Sequence, residues 1–179
     1  MRRTKFRHVF LIPLMIGNAP LGVASPGPHP PFETTGVVIH NHDGDTIKLK
    51  TRERGVLNVR FSGADTPEAG QAYWKVARDF LKSRVEGMQT TVWCYKLDRY
   101  EREVCHVRGG QQDLGQALIE LGYAWYAFQY AAELSEAQRQ AYSEGEQRAR
   151  ERRVGLWQES DPMPPWECRK LRKAGQKCR

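Results

Sequence analysis

The alternation of apolar and polar residues from Thr34 onward predicts several short β-strands. An apolar run leads into an Asp-Gly-Asp turn at 43–45, and alternation at Ile47 and Leu49 follows, which is typical of two antiparallel strands. A second hairpin is predicted further along the chain. The predicted strands lie within residues 36–49, 56–62, 90–95 and 104–107.

Helical periodicity appears in three segments. The first covers residues 69–86, after Pro67 has ended the extended structure, and the second covers residues 114–121. The third begins at Ser135, which forms a capping-box pattern with Gln138 three places on, and continues to about residue 153. Five strands with a helix between the third and the fourth predict a small closed barrel, because one short sheet cannot cover both of its faces.

The first 33 residues differ in composition from the rest. Four basic residues precede an apolar stretch at 9–16, and small residues follow at 22–24. This pattern predicts a secretory signal peptide over residues 1–24, cleaved after Ala24, since the apolar stretch is short for a bilayer span. An uncleaved anchor is the alternative. We therefore expect a Pro-rich spacer at 25–33, one folded domain at 34–158 and a basic, cysteine-containing tail at 159–179.

Composition and charge set wide limits on function. The chain has 179 residues, of which 40% are hydrophobic and 27% charged, so it is expected to fold as a globular domain. Its formal net charge is +7, and without the four basic residues of the first segment 24 basic and 21 acidic residues remain. The remaining excess lies late, at 148–153 and 169–179. A polyanionic partner is compatible with this charge but does not follow from it.

Four cysteines, Cys94, Cys105, Cys168 and Cys178, contain no C-x-x-C pair, which argues against a zinc ribbon. In an exported protein, disulfides are the default. Three pairings are possible, and the local one is favoured because Cys94 and Cys105 flank one hairpin whereas Cys168 and Cys178 share the tail. Four free thiols in a reducing compartment are the alternative.

Two acidic clusters, at 42–46 and 63–68, offer oxygen ligands for a divalent cation. Asp45 follows a tight turn and Asp65 follows a strand, and two carboxylates that meet need a cation or a proton between them. An EF-hand is excluded, because Ile47 and Arg54 stand where that loop requires oxygen ligands. Zinc at the two nearby histidines, 40 and 42, lacks a third ligand close in sequence.

Several of these residues also have purely structural explanations. Asp43 before a glycine is typical of a side chain that hydrogen-bonds its own backbone, and Gly44 suits a turn. Arg60, alternating with apolar neighbours in a strand, resembles an ordinary surface residue. Glu68 resembles the first-turn carboxylate of a helix that begins at Pro67.

Three strings carry a resemblance to a known family. They are DGDTIKL at 43–49, VRFSGADTPE at 59–68 and DRYEREV at 98–104, and together they resemble the staphylococcal nuclease family over roughly residues 37–157. The resemblance implies a mainly β fold, a five-stranded OB-fold barrel with three α-helices. It also implies a calcium-dependent nuclease that hydrolyses the phosphodiester bonds of DNA and RNA and leaves 3′-phosphates.

The resemblance also implies a role for each site residue. Asp45 and Asp65 match carboxylate ligands of calcium, and Thr66 matches a ligand that offers its backbone carbonyl. Glu68 matches the general base. The phosphate-binding arginines are Arg60 and Arg102, and the substrate-binding residues are Arg99, Tyr100, Phe128 and Tyr130. With the signal removed, the protein is expected to be a secreted or periplasmic monomer without stable membrane association.

One residue departs from the family pattern. Glu101 stands in DRYER where the family usually has glycine, so we expect a changed backbone conformation and an added negative charge beside Arg102. A catalytically silent OB-fold module that binds single strands is the alternative function, and a structural calcium protein is a third. The lysines and arginines of the tail either add phosphate contacts or are simply solvated.

Overall fold

Eight β-strands, four α-helices and two short 3₁₀ helices make up residues 29–178, the part of the chain that this computed structural model describes. The predicted signal peptide and its cleavage site after Ala24 lie outside the described residues. No helix within the described range is long and apolar enough to span a bilayer.

The elements follow one another in a simple order. The strands are β1 (Phe32–Asn41), β2 (Thr46–Thr51), β3 (Val56–Phe61), β4 (Ala64–Asp65), β5 (Gln89–Leu97), β6 (Glu103–Gly109), β7 (Gln112–Asp113) and β8 (Trp125–Tyr126). The helices are α1 (Trp74–Val85), α2 (Leu114–Glu120), α3 (Glu136–Glu151) and α4 (Pro165–Lys173), with 3₁₀ helices at Phe128–Glu133 and Gly155–Gln158.

Strands β1, β2, β3, β5 and β6 form a closed barrel. The sheet runs β3-β2-β1-β5-β6-β7, and a parallel pairing of β3 with β6 joins its two sides. In that pairing Arg60 lies opposite Val104. The predicted five-stranded barrel is therefore confirmed, and its closing seam runs beside Arg60.

Strand alternation places the apolar residues inside the barrel. Ile47, Leu49 and Val59 are fully buried, as the period-two pattern of β2 and β3 predicts. One face of α1 adds Ala77, Leu81 and Val85 to the same core. The barrel interior is thus filled with apolar side chains.

Helix α1 begins later than the sequence suggests. Its first residue is Trp74, and residues 67–73 form turns in which Gly70 (φ 93°) and Tyr73 (φ 62°) adopt left-handed backbone conformations. These two residues interrupt the helical path. The expectation that the helix begins at Pro67, with Glu68 as its first-turn carboxylate, is therefore wrong, and Glu68 lies in a loop.

The other two predicted helices are confirmed. Helix α2 ends at Glu120, just before Gly122, whose φ is 68°. Ser135 caps α3, and the reciprocal bonds of the capping box with Gln138 are both present. The fourth helix, α4, was not predicted from the sequence, which assigned its residues to the tail.

Both favoured disulfides are present. Cys94 and Cys105 lie directly opposite each other on β5 and β6 and are joined by a disulfide. Cys168 in α4 is joined to Cys178. The first disulfide braces the hairpin that carries Arg102, and the second closes the chain that follows α4 back onto this helix.

Glu101 occupies the turn of that hairpin with a φ of 59°, in the left-handed region that glycine favours. The turn therefore has a shape that suits glycine, and Glu101 adopts it at a cost of about 1 kcal/mol.

Candidate active site

Three loops meet at one rim of the barrel and enclose a cavity of about 680 Å³. They are the β1–β2 turn, the segment that follows β3, and the β5–β6 turn. The cavity is lined by residues from all three, and Arg169 of α4 also reaches it. Most of the residues singled out in the sequence therefore lie in one place.

Arg60 connects the two aspartates at the floor of this cavity. Its Nη1 contacts Asp45 Oδ1, and its Nη2 donates to Asp65 Oδ1 at 2.6 Å. The two aspartates are only 3% and 2% exposed. Arg60 is consequently not a solvated surface residue, because its charge compensates two buried carboxylates.

The second oxygen of Asp45 is held by Thr66. The backbone N–H and the hydroxyl of Thr66 donate to Asp45 Oδ2 at 2.6 and 2.8 Å. A β-carbon at Gly44 would lie 2.6 Å from Thr66 Cγ2 and 2.8 Å from Ala77 Cβ. Gly44 lies in the predicted turn without a positive φ, and its lack of a side chain also permits this close packing.

Asp43 has the local function that the sequence suggests. Its Oδ1 accepts the backbone N–H of Asp45 at 3.0 Å, which closes the turn. Asp43 lines the cavity but orients Asp45 rather than joining the Arg60 cluster.

Asp98 fixes Arg102 at the edge of the cavity. Asp98 Oδ2 accepts from Arg102 Nε at 2.8 Å and from Nη2 at 2.7 Å, while Oδ1 accepts the backbone N–H groups of Tyr100 and Arg102. The remaining nitrogen, Nη1, lies 3.4 Å from the hydroxyl of Thr46. One edge of the guanidinium is thus tied down, and Arg102 itself lines the cavity.

Glu68 lies across the cavity, in an ion pair with the tail. Arg169 Nη1 donates to Glu68 Oε1 at 2.7 Å, and Arg172 Nη1 lies 3.4 Å from Oε2. Arg169 also binds Asp65, through Nη2 to Oδ2 at 2.7 Å and Nη1 to Oδ1 at 3.1 Å. Burial by itself lowers the pKa of Arg169, but the hydrogen bonds and charges of Asp65 and Glu68 outweigh it and raise that pKa above its ordinary value.

The aromatic residues are distributed around the rim. Tyr100 is 61% exposed, and its ring lies near Arg99 and Arg102, whose Cζ atoms are 4.9 and 5.4 Å from the ring centroid. Tyr130 is half exposed and also lines the cavity. Phe128 does not line it, and its ring instead packs edge-on against Trp166 of α4.

The donor chemistry of the site fits an oxygen-loving cation. Asp45 and Asp65 are buried, converge on one point and are compensated by arginines, which a divalent ion could replace. Within residues 29–178 no group of three or more His, Cys, Asp or Glu side chains could hold a metal. A cation here would therefore depend on two carboxylates together with backbone and water oxygens. Thr66, the third expected ligand, lines the same cavity.

Sequence reasoning missed two residues of the site, Asp98 and Arg169. Asp98 stands at the first position of the DRYER string, where an aspartate that accepts backbone N–H groups is typical of a turn, so its position could have been recognised. Arg169 lies 101 residues beyond Glu68 in sequence and reaches the site only through tertiary packing. Nothing local in the tail sequence indicates that contact.

Asp98 generates a prediction about pH. Burial by itself raises its pKa, but the hydrogen bonds from Arg102 and Tyr100 outweigh it, so the folded pKa lies below the ordinary 3.8. The stabilisation is complete above about pH 4 and is lost as the pH falls through the folded pKa. We expect Asp98→Asn to lower the free energy of unfolding by about 1 kcal/mol near neutral pH. The difference from the parent should shrink below about pH 4.

Urea unfolding followed by tryptophan fluorescence measures this difference across the pH range. Asp79→Asn is the matched control, since the side chain of Asp79 is 60% exposed and its partner is the adjacent Arg78. A difference between Asp98→Asn and parent that stays constant down to about pH 3 would contradict the assignment.

Comparison with known proteins agrees with this geometry. Residues 58–159 match the family described as staphylococcal nuclease homologue. The chain is 36% identical over 121 residues to the staphylococcal-like nuclease CAN1 of Arabidopsis thaliana, which covers 66% of this chain and 35% of the plant protein. It is 33% identical over 134 residues to an uncharacterized endonuclease of Escherichia coli O157:H7, covering 73% of this chain and 82% of the relative.

A third relative is similar to the same extent. The chain is 33% identical over 147 residues to a micrococcal nuclease of Shigella flexneri, covering 77% of this chain and 82% of that protein. The chain thus spans about a third of the length of the plant relative and about four fifths of the bacterial ones. The family match covers more than half of the 179 residues, so this chain belongs to the staphylococcal nuclease family.

Proposed function

We propose that this protein is a calcium-dependent nuclease that hydrolyses phosphodiester bonds in DNA and RNA and leaves 3′-phosphate ends. The observation that carries the proposal is the convergence of Asp45, Asp65, Glu68 and two arginines at one cavity. A module that only binds single strands needs a basic groove and aromatic rings, but it has no use for buried carboxylates held in ion pairs. The names of the bacterial relatives, an endonuclease and a micrococcal nuclease, point in the same direction.

Asp45 and Asp65 would hold the calcium ion, with the backbone carbonyl of Thr66 as a further ligand. When bound, the ion supplies positive charge to a phosphate oxygen and compensates the two carboxylates. The contacts of Arg60 support such an exchange, because both of its Nη groups are occupied by these aspartates. They become available to a phosphate when another cation compensates Asp45 and Asp65.

Glu68 is assigned to the attacking water. Its carboxylate accepts a proton from the water as the water oxygen attacks phosphorus, and the bond from phosphorus to the 5′ oxygen breaks. Arg60 and Arg102 donate hydrogen bonds to the oxygens on which negative charge accumulates. The 5′ oxygen takes a proton from solvent water as it leaves, and the phosphate stays on the 3′ side.

Tyr100 and Tyr130 support the proposed binding of a polynucleotide. Both rings are exposed at the cavity edge, where bases can stack on them without regard to sequence. Tyr100 lies against Arg99 and Arg102, so a base stacked there would have its phosphate close to the arginines. Phe128 lies farther along the rim, against α4, and could contact only a more distant nucleotide.

Digestion of single-stranded DNA by the purified protein tests the proposal directly. We expect cleavage with calcium and none after chelation, and little with magnesium alone because the smaller ion demands stricter octahedral geometry. Product ends should accept labelled phosphate at the 5′ position only and carry phosphate at the 3′ position. Equal turnover in the presence of chelator would contradict calcium dependence. A parent protein that binds DNA but never cuts it would establish the binding-module alternative.

Two substitutions separate chemistry from binding. Glu68→Gln and Arg102→Lys should each lower the rate by roughly 10²-fold or more, because each removes a positioned group from the transition state. Arg102→Lys should lose activity because an ammonium, unlike a guanidinium, cannot bind Asp98 through one edge and phosphate through another. Binding of an uncleavable strand should change far less than the rate. Arg108→Lys, on an exposed residue of β6, is the control. Parental rates in both site variants would show that the residue assignment is wrong.

We also infer that the protein is exported. The amino-terminal pattern of basic, apolar and small residues and the two disulfides both support an oxidising destination. Mass analysis under non-reducing conditions should find a chain that begins near Ser25 and contains no free thiol. Intact Met1 together with four free thiols would contradict export.

A further inference from the structure

The tail helix α4 is docked beside the site by contacts that do not involve Arg169. Pro165 and Cys168 are buried, and Trp166 packs edge-on against Trp125 with the ring centroids 5.7 Å apart. Gln71 donates to the carbonyl of Met163 at 2.8 Å, in the loop just before α4. The disulfide at Cys168 closes the tail onto the same helix. Residue 169 therefore has a defined position next to the loop that carries Asp65 and Glu68.

From this position Arg169 covers Asp65. Asp65 is 2% exposed, whereas the side chain of Arg169 is 39% exposed, so the guanidinium forms the outer boundary of the carboxylate. Arg169 Nη2 donates a hydrogen bond to Asp65 Oδ2 at 2.7 Å. Both oxygens of Asp65 are thus occupied, one by Arg169 alone and one by Arg60 and Arg169 together.

A calcium ion needs the same oxygens. Calcium binds carboxylate oxygens at roughly 2.3–2.6 Å and takes several of them at once, so an N–H group on the same lone pairs competes with it. The two cations also repel each other at this separation. Arg169 is long and partly exposed, and it can turn away from Asp65 without movement of the helix backbone.

We propose that Arg169 is a built-in competitor for calcium, which holds Asp65 and Glu68 in the metal-free protein and has to leave Asp65 before the ion binds. The inference rests on the proposed calcium site. It adds a residue from outside the matched family region, which ends at residue 159. The tail therefore sets the calcium concentration at which the site loads.

Isothermal titration of calcium into the full disulfide-bonded chain, without substrate, tests the proposal. Arg169→Gln should bind calcium about fivefold or more tightly than the parent, because the competing ion pairs are gone. The calcium affinity of Arg169→Lys should lie between those of the parent and Arg169→Gln, since an ammonium keeps the charge but cannot hold Asp65 and Glu68 together. Lys173→Gln is the matched control, an exposed residue of the same helix with the same change of charge. It should stay within about twofold of the parent.

A second readout follows from the reciprocity of linked equilibria. If Arg169 must release Asp65 when calcium binds, its ion pairs with Asp65 add to the free energy of unfolding only in the absence of calcium. Arg169→Gln should therefore be less stable than the parent in chelator, and saturating calcium should reduce that difference. A stability difference that calcium leaves unchanged would overturn the proposal.

The outcomes separate this inference from the function on which it rests. A parent that binds calcium while Arg169→Gln binds no more tightly than Lys173→Gln overturns the competitor assignment and leaves the nuclease proposal intact. A parent that gives no calcium binding overturns the calcium site itself, together with its competitor. Circular dichroism of each variant identifies any loss of fold, and Arg169→Lys carries the test if Arg169→Gln does not fold.

Discussion

The structure depends on the neutralisation of two buried carboxylates. Asp45 comes from the β1–β2 turn and Asp65 from β4, and both are almost fully removed from solvent. This arrangement would be strongly unfavourable without positive charge between them. Arg60 supplies that charge from β3 and contacts both. The β1–β2 turn and the segment after β3 are held together through this one guanidinium, and Thr66 adds two hydrogen bonds to Asp45.

The tail extends this cluster beyond the barrel. The family match ends at residue 159, but the network of charges continues to Arg169 and Arg172 in α4. Trp166 and the second disulfide hold α4 in place, so these arginines belong to the same rigid surroundings as the cavity. The chemistry of the site in this chain therefore extends beyond the region that the family match covers.

Much of the barrel could be predicted from the sequence, because strand alternation and turn residues are local signals. The period-two pattern around Ile47 and the capping box at Ser135 each correspond to an observed element. The start of α1 could not be predicted in this way, since Gly70 and Tyr73 adopt left-handed conformations that tertiary packing selects. The apolar residues at helical spacing, Val76, Phe80, Leu81 and Val85, all lie inside the observed helix, so their spacing does not indicate where the helix begins.

The site residues show the same contrast between local sequence signals and tertiary packing. Asp45, Asp65 and Arg60 stand in strings specific enough to indicate their meeting, whereas Arg169 stands in a run of basic residues where most are exposed. The ion pairs of Arg169 with Asp65 and Glu68 depend on how α4 packs on Trp125, a contact between residues far apart in the chain. Sequence patterns thus identified the carboxylates but not the complete set of cations that surrounds them.

The parallel pairing of β3 with β6 has a consequence for how activity arises during folding. Arg60 lies on one side of this seam and Val104, two residues after Arg102, lies on the other. The two arginines are brought to one cavity only when strands more than forty positions apart in sequence have joined, which is a late and slow kind of contact. A nascent or partly unfolded chain therefore does not hold Arg60 and Arg102 at one cavity, and this part of the site assembles only when the barrel closes.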